Sequence, residues 1–419
     1  MARSIVDARF AATLRRLRTE RGLSLRALAR LTHHGKTLLH ELETGVKEPT
    51  TDMAGRLDAA LQAAGELAAL VSADTGMRRR DVIAAAGLAV TLPHTHRAYS
   101  RQLGTDVPGQ LVARTARLRR LDDYLGGADT YRVFAAEVAS TAALIRDGSY
   151  AERTGQALLA VLAEQAQLAG WAAFDAGSSS DSDRLYRMSL DAANDAGDRA
   201  LAGNAYAFLA YQQLAHGDLS GVDTAVAGVE TAGGTATPGV RALLHCRRAW
   251  AHAVAGQVAA AEEQLALGAT ALTEHDDRPE PDWVYWVDRS EIEIMTGRCW
   301  TVLRRPLRAI STLEGVLAAY DDTHARDKSL YMSWLADAYL DAHEVEQACE
   351  VASRAMTLAG GVGSVRPGRR LDEVLDRTDP YAELECVTAL REQATEWKRQ
   401  ARLTAAATPD IPPSPPRSA

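Results

Sequence analysis

Four glycines recur at nearly even intervals, each closing a helical stretch rich in Ala and bulky residues: Gly177 in GWAAFDAG, Gly217 in AYAFLAYQQLAHG, Gly256 in RAWAHAVAG and Gly297 in RSEIEIMTG. His343 ends SWLADAYLDAH where a fifth would fall, so the intervals are 40, 39, 41 and 46 residues. A second Ala- and Leu-rich helix follows each stop, as in AAAEEQLALGATAL. One such pair cannot bury its apolar faces until neighbours stack on it. A two-helix unit repeated about every 40 residues therefore predicts a helical solenoid. The spacing alone leaves an irregular all-helical domain as the other reading.

Composition agrees with an all-α chain, because aromatic residues are only 5% and runs of β-branched residues are scarce. At 419 residues there is room for two or more domains. The expected division is an N-terminal domain at 1–75, a linker at 76–109, the repeats at 110–403 and a proline-rich disordered tail at 404–419. Cys246, Cys299, Cys349 and Cys386 are widely spaced with no C-x-x-C pair, which indicates neither a disulfide framework nor a zinc knuckle. No apolar run approaches the roughly 18 to 20 residues needed to cross a bilayer. No apolar leader opens the chain. The stretch RRRDVIAAAGLAV at 78–90 looks like a twin-arginine export signal, but it lies behind a predicted domain with a short apolar part, so a basic connector is the better reading. A cytoplasmic location without membrane contact is expected.

Charge is uneven. Residues 1–80 carry 14 Lys and Arg against 9 Asp and Glu, whereas the rest carries 33 against 46. A small basic module on a large acidic body is a candidate to face nucleic acid.

Within that module, Leu14, Leu17 and, after a turn at Gly22, Leu23 mark an amphipathic first helix bearing Arg15, Arg16, Arg18 and Arg21. Ser24 stands at the N-cap position of a second helix, LRALARLT, expected to bury Leu25, Leu28 and Leu31 with small Ala29 at a close crossing. His33 and His34 form a tight turn before a third helix, capped by Gly35 and ended by Gly45. There Leu39 and Leu42 face inward. Lys36, Thr37, His40 and Glu41, at i, i+1, i+4 and i+5, share the opposite side. The DNA major groove admits one helix and presents each base pair as a distinct set of donors and acceptors; Lys can donate to guanine, Glu can accept from cytosine, and Thr can do either.

The stretch LRRLRTERGLSLRALARLTHHGKTLLHELETGVKEPT resembles, without gaps from Leu14 to Pro49, the helix-turn-helix of phage-repressor-type (XRE) regulators. The resemblance implies a five-helix lambda-repressor-like domain in which Lys36, Thr37 and Glu41 read bases with His40 beside them. It also implies phosphate contacts from Arg26, Thr44, Lys47 and the backbone near Glu48, and an internal pair between Arg18 and Glu43. Gly35 replaces the family's Ser or Thr cap, His33 its usual turn glycine, and Leu25 a frequent phosphate-binding Gln. RRLDDYLGGADTY from Arg119 and LAEQAQLAGWAAFDAG from Leu162 are similar to segments that join such a domain to tetratricopeptide-like (TPR-like) repeats in actinobacterial regulators. That implies a transcriptional regulator whose repeats dimerise, sense a ligand, or both.

Other chemistries have little footing. His33 and His34, or His94 and His96, have no Cys or carboxylate at metal-ligand spacing. There is no G-x-S-x-G, no phosphate-binding G-x-x-x-x-G-K-[ST] and no H-E-x-x-H, so neither an enzyme nor a cofactor is expected. All seven tryptophans lie beyond residue 110, and most are expected in the core. Solenoids nevertheless bind ligands on concave faces. Asn204, Phe208 and Tyr211 fall on one stripe at i, i+4 and i+7, and with Trp250, Trp286 and Trp334 they are the ligand-binding candidates. In peptide-sensing repeat regulators, similar only in architecture, such an asparagine clamps a peptide backbone. The expected partners are double-stranded DNA with a palindromic operator, a second copy of the chain, and a peptide or small-molecule effector. A repeat-type scaffold with a non-DNA-binding N-terminal module is the alternative.

Overall fold

A computed structural model describes residues 4–6, 10–32, 35–44, 47, 49–61, 63, 67, 70–73 and 102–406. The chain divides into two compact units, residues 1–92 and 93–419.

In the first unit α1 (Phe10–Glu20), α2 (Leu25–Thr32), α3 (Lys36–Glu43) and α4 (Thr51–Leu61) surround one apolar core. Phe10, Leu14 and Leu17 recur at helical spacing on α1 and are buried with Leu28, Leu39, Leu42 and Leu57. Gly22 turns the chain in the left-handed region at φ +64°, and Ser24 Oγ accepts the Ala27 amide at 3.1 Å as the cap of α2. The expected fifth helix falls mostly outside the described residues, as do Gly45, His33, His34 and residues 74–100 of the connector. An unexpected antiparallel ribbon closes the unit, pairing β1 (Ser4–Val6) with β2 (Val71–Ala73) through Ser4↔Ala73 and Val6↔Val71. Leu31 is a correction, being 56% exposed while Thr32 is buried. Three-residue steps drift backwards around a helix, so Leu25 and Leu31 flank Leu28 on opposite sides and cannot both face one core. Thr32 takes the inward position and satisfies its hydroxyl on the Leu28 carbonyl at 2.8 Å.

The second unit begins with α5 (Val107–Asp122) and α6 (Gly127–Asp147), inside and just after the expected linker. Five helical hairpins follow. They are α7 (Glu152–Asp175) with α8 (Ser179–Ala196), α9 (Arg199–Ala215) with α10 (Gly221–Ala232), α11 (Pro238–Val254) with α12 (Val258–Ala271), α13 (Arg289–Val302) with α14 (Pro306–Ala319), and α15 (Ala325–Asp341) with α16 (Val345–Ala359). Then α17 (Arg366–Arg377) and α18 (Glu385–Ala406) complete the unit, α18 running three residues past the expected boundary. The first helices of successive hairpins pack on one another, and so bury a continuous core.

Every hairpin turns the same way. The second residue after the first helix is left-handed at Gly177, Gly217, Gly256, Arg304 and His343. The next amide reaches five residues back, to Ala173, Gln213, His252, Trp300 and Tyr339, at 2.8 to 3.0 Å. Gly297 is therefore not the fourth stop; it lies inside α13, where an added Cβ would come within 2.5 Å of Leu313. It is small because α14 crosses there. The true intervals are 40, 39, 48 and 39 residues, the long one containing the Trp283–Asp288 segment.

By length and composition α7 does qualify as a bilayer-spanning helix, against the expectation, but 67% of its apolar window is buried inside this unit. The four cysteines are free, Cys246, Cys299 and Cys349 buried and Cys386 half-buried.

Candidate nucleic-acid interface and interior cavity

Helix α3 is held at both ends. Leu39 and Leu42 are buried to within 1% exposure beneath it, and Gly35 caps it in an extended conformation, with no side-chain bond. Near its C-terminus Glu43 takes a two-pronged grip from Arg18, Nε to Oε1 at 2.5 Å and Nη2 to Oε2 at 2.9 Å. Arg18 also donates from Nη1 to the Leu23 carbonyl at 2.8 Å. One guanidinium thus ties α1, the turn and α3 together, and the hydrogen bond to Glu43 raises its pKa further. Lys36, Thr37 and His40 are exposed on the outer side and Glu41 is half-buried beside them.

Among the expected phosphate contacts, Lys47 is exposed. The Thr44 hydroxyl donates to its own helix, to the His40 carbonyl at 2.8 Å and the Glu41 carbonyl at 3.2 Å, so it must rotate to offer a proton elsewhere. Glu48 and the Arg26 side chain lie outside the described residues. So do His94 and His96.

The second unit holds a partly open cavity of about 410 Å³, within the range of small-molecule sites. Its walls come from the first helices of the five hairpins, together with α5, the Trp283–Asp288 segment, Tyr320, His324 and Arg366 of α17. The helical series bends round the cavity because its ends meet: Arg326 on α15 pairs with Asp122 on α5 at 3.0 Å, and Arg366 on α17 pairs with Asp175 on α7 at 2.6 Å. The Ala128 amide on α6 also reaches the Gly363 carbonyl at 2.9 Å.

Asn204, Phe208, Tyr211 and Trp286 all line this cavity. The Asn204 amide nitrogen donates to Gln167 Oε1 at 2.7 Å. Trp250 and Trp334 do not line it. They pack edge-to-face at 5.3 Å, with the Arg298 guanidinium over both rings at 4.6 and 5.5 Å, so their apolar faces are covered by each other and by that side chain.

Sequence reasoning missed the charged lining. Arg247, Arg298 and Arg366 surround Tyr211, and although burial opposes its ionisation, the three guanidiniums outweigh it and bring the phenol down to about 8. Burial pushes Glu291 up to about 7 against the pull of Arg247 and Arg298, and pushes Asp122 up to about 6 against Arg326. The available signal was an arginine set inside an otherwise apolar helical stretch, as in IMTGRCW and HCRRAW. No group of His, Cys, Asp and Glu suited to a metal ion occurs among the described residues.

No curated protein and no solved structure matches the chain. Residues 9–71 match the family described as helix-turn-helix domain, which takes in α1 to α4 and supports reading the chain as a DNA-binding regulator.

Proposed function

We propose that the chain is a sequence-specific, XRE-type transcriptional regulator that binds a palindromic operator as a homodimer, and whose affinity for DNA changes when the TPR-like helical unit takes up an effector. Carrying this reading is the geometry of α3: two leucines buried beneath it and a row of Lys36, Thr37, His40 and Glu41 on the side away from them. One such helix meets a single half-site, so two copies related by symmetry read a palindrome. The effector acts only if it binds the two arrangements of the dimer differently. Cytoplasmic action and the absence of catalysis belong to the same reading.

The test is to recover genomic fragments bound by the purified chain, then measure binding to the recovered site. Lys36→Ala and Glu41→Ala should each cost about 1–3 kcal/mol there and relax one base position. Affinity should also fall steeply with salt, as phosphate contacts demand. If both variants bind like wild type, α3 does not read the bases. If no fragment is enriched, the scaffold reading replaces this one.

A further inference from the structure

The cavity in the second unit is lined by two arginines that no carboxylate of its walls pairs with directly. Most of the lining is internally paired. Arg119 is matched by Glu164 and Asp282, Arg326 by Asp122 and Asp327, and Arg366 by Asp175. Asp123 accepts the Tyr285 hydroxyl, and Asp288 caps α13 by accepting the Glu291 amide. What remains is Arg247, Arg298 and Glu291, whose carboxyl lies in the field of both arginines but accepts a hydrogen bond from the Tyr331 hydroxyl at 3.4 Å. Neither arginine forms an ion pair with a carboxylate among the described residues; their hydrogen bonds go to Met295 and Tyr211.

Arg298 is 3% exposed and lines the cavity. It donates to Met295 Sδ at 3.3 Å and to the Tyr211 hydroxyl at 3.2 Å, and its Nε has no hydrogen-bond partner. Arg247 finds only the same methionine sulfur, at 3.6 Å. Arg298 also lies over the Trp250 and Trp334 rings at 4.6 and 5.5 Å, but a thioether, a phenol and ring faces leave part of a buried guanidinium's hydrogen bonding unmet. Such an arrangement calls for an anion from outside. Arg366, whose Nη2 lies 3.7 Å from Asp327, adds its guanidinium 4.3 Å from the Trp171 ring centre.

The rest of the wall is flat and apolar. Trp171, Phe208, Tyr211 and Trp286 line the hollow, and Arg247 sits between the Tyr211 and Trp286 rings at 5.9 and 5.6 Å. Aromatic faces beside cations accept a planar body by stacking.

We propose that this cavity binds a small organic anion with a flat apolar body, its carboxylate or similar acid group held by Arg298 and Arg247 and its rings stacked among Trp171, Phe208 and Trp286. The volume excludes a folded partner and suits a single molecule of metabolite size. This deepens the reading of the helical unit as the sensing part and names the class of effector it senses. Binding itself is independent of DNA.

The experiment uses the full chain and a matched series of probes sharing one ring system: 1-naphthaleneacetate, its neutral amide, and 1-naphthylethylamine. Binding is read by calorimetry and by the rise in the unfolding temperature, without DNA. The acid should bind at least tenfold more tightly than the amide, and the amine should not bind. Arg298→Gln should weaken the acid at least tenfold, and Arg247→Gln serves the same purpose should the first variant fail to fold. Arg187→Gln, on the exposed outer side of α8, should change nothing. The proposal is overturned if the amide or amine binds as well as the acid, if none of the three binds at millimolar concentration, or if folded variants keep full affinity for the acid. Retained acid binding with unchanged operator affinity would instead count against the effector step of the proposed function alone.

Discussion

Replacing Glu43 with Ala should loosen the first unit without removing any expected base contact. The substitution deletes two charge-assisted hydrogen bonds, at 2.5 and 2.9 Å, across a pair whose side chains are only 16% and 5% exposed. Breaking a fully buried pair costs about 3–5 kcal/mol, and an exposed one about 0–1. Arg18 keeps its bond to the Leu23 carbonyl and some contact with water, which places the loss between those limits, at about 2–3 kcal/mol. For a domain of this size each kcal/mol moves the midpoint by about 4–8 °C, so the unfolding transition of the first unit should fall by about 10–20 °C. Scanning calorimetry of the full chain would follow that transition separately from the one of the helical unit. Arg18→Met combined with Glu43→Leu should recover more than half of the loss, because two apolar groups of similar size leave no charge stranded. A midpoint within 3 °C of wild type in the single variant, or a double variant no better than the single, would show that the Arg18 fork does not hold α3 in place.

The remaining expectations concern the second unit and the assembly. Removing residues 81–419 should abolish dimerisation and weaken operator binding, and a truncated module that still sediments as a dimer would refute this. Glu291, at about 7, and Asp122, at about 6, both sit above their ordinary values, so the folded chain holds protons that the unfolded chain has already lost. The stability tied to them is fully present below about pH 4 and is lost progressively as pH rises through 6 for Asp122 and 7 for Glu291. Glu291→Gln should remove about 2 kcal/mol of that decline between pH 5 and 8 in denaturant titrations, and parallel curves for variant and wild type would contradict it. His343→Gly should raise stability by up to about 1 kcal/mol, since it relieves a left-handed conformation at φ +63° while losing only a 3.2 Å contact to the Tyr381 hydroxyl. Gly203→Leu should lower stability by about 1–3 kcal/mol or more, as even a Cβ there would come within 2.7 Å of the Gly228 carbonyl on the crossing helix; an unchanged midpoint would mean that α9 and α10 do not pack this closely.

Local chemistry was enough to write much of this protein from its residues. Leucines three and four apart, a Ser24 cap and a left-handed Gly22 specify α1 to α3 and which side of α3 faces out, because helical periodicity and capping act over a few residues. The hairpin repeat was legible for the same reason at Gly177, Gly217 and Gly256, where a left-handed stop needs glycine. It was misread at Gly297, since a glycine demanded by a helix crossing looks the same in sequence as one demanded by a turn. Arg304 and His343 make that turn at an energetic cost that no propensity announces. The tertiary structure alone decided the cavity. Asp122 meets Arg326 across 204 residues and Asp175 meets Arg366 across 191, and those long-range pairs close the helical series and leave Arg247 and Arg298 facing inward unpaired. Whether a buried charge is neutralised or left seeking a partner depends on what the folded chain brings beside it, and no local pattern encodes that.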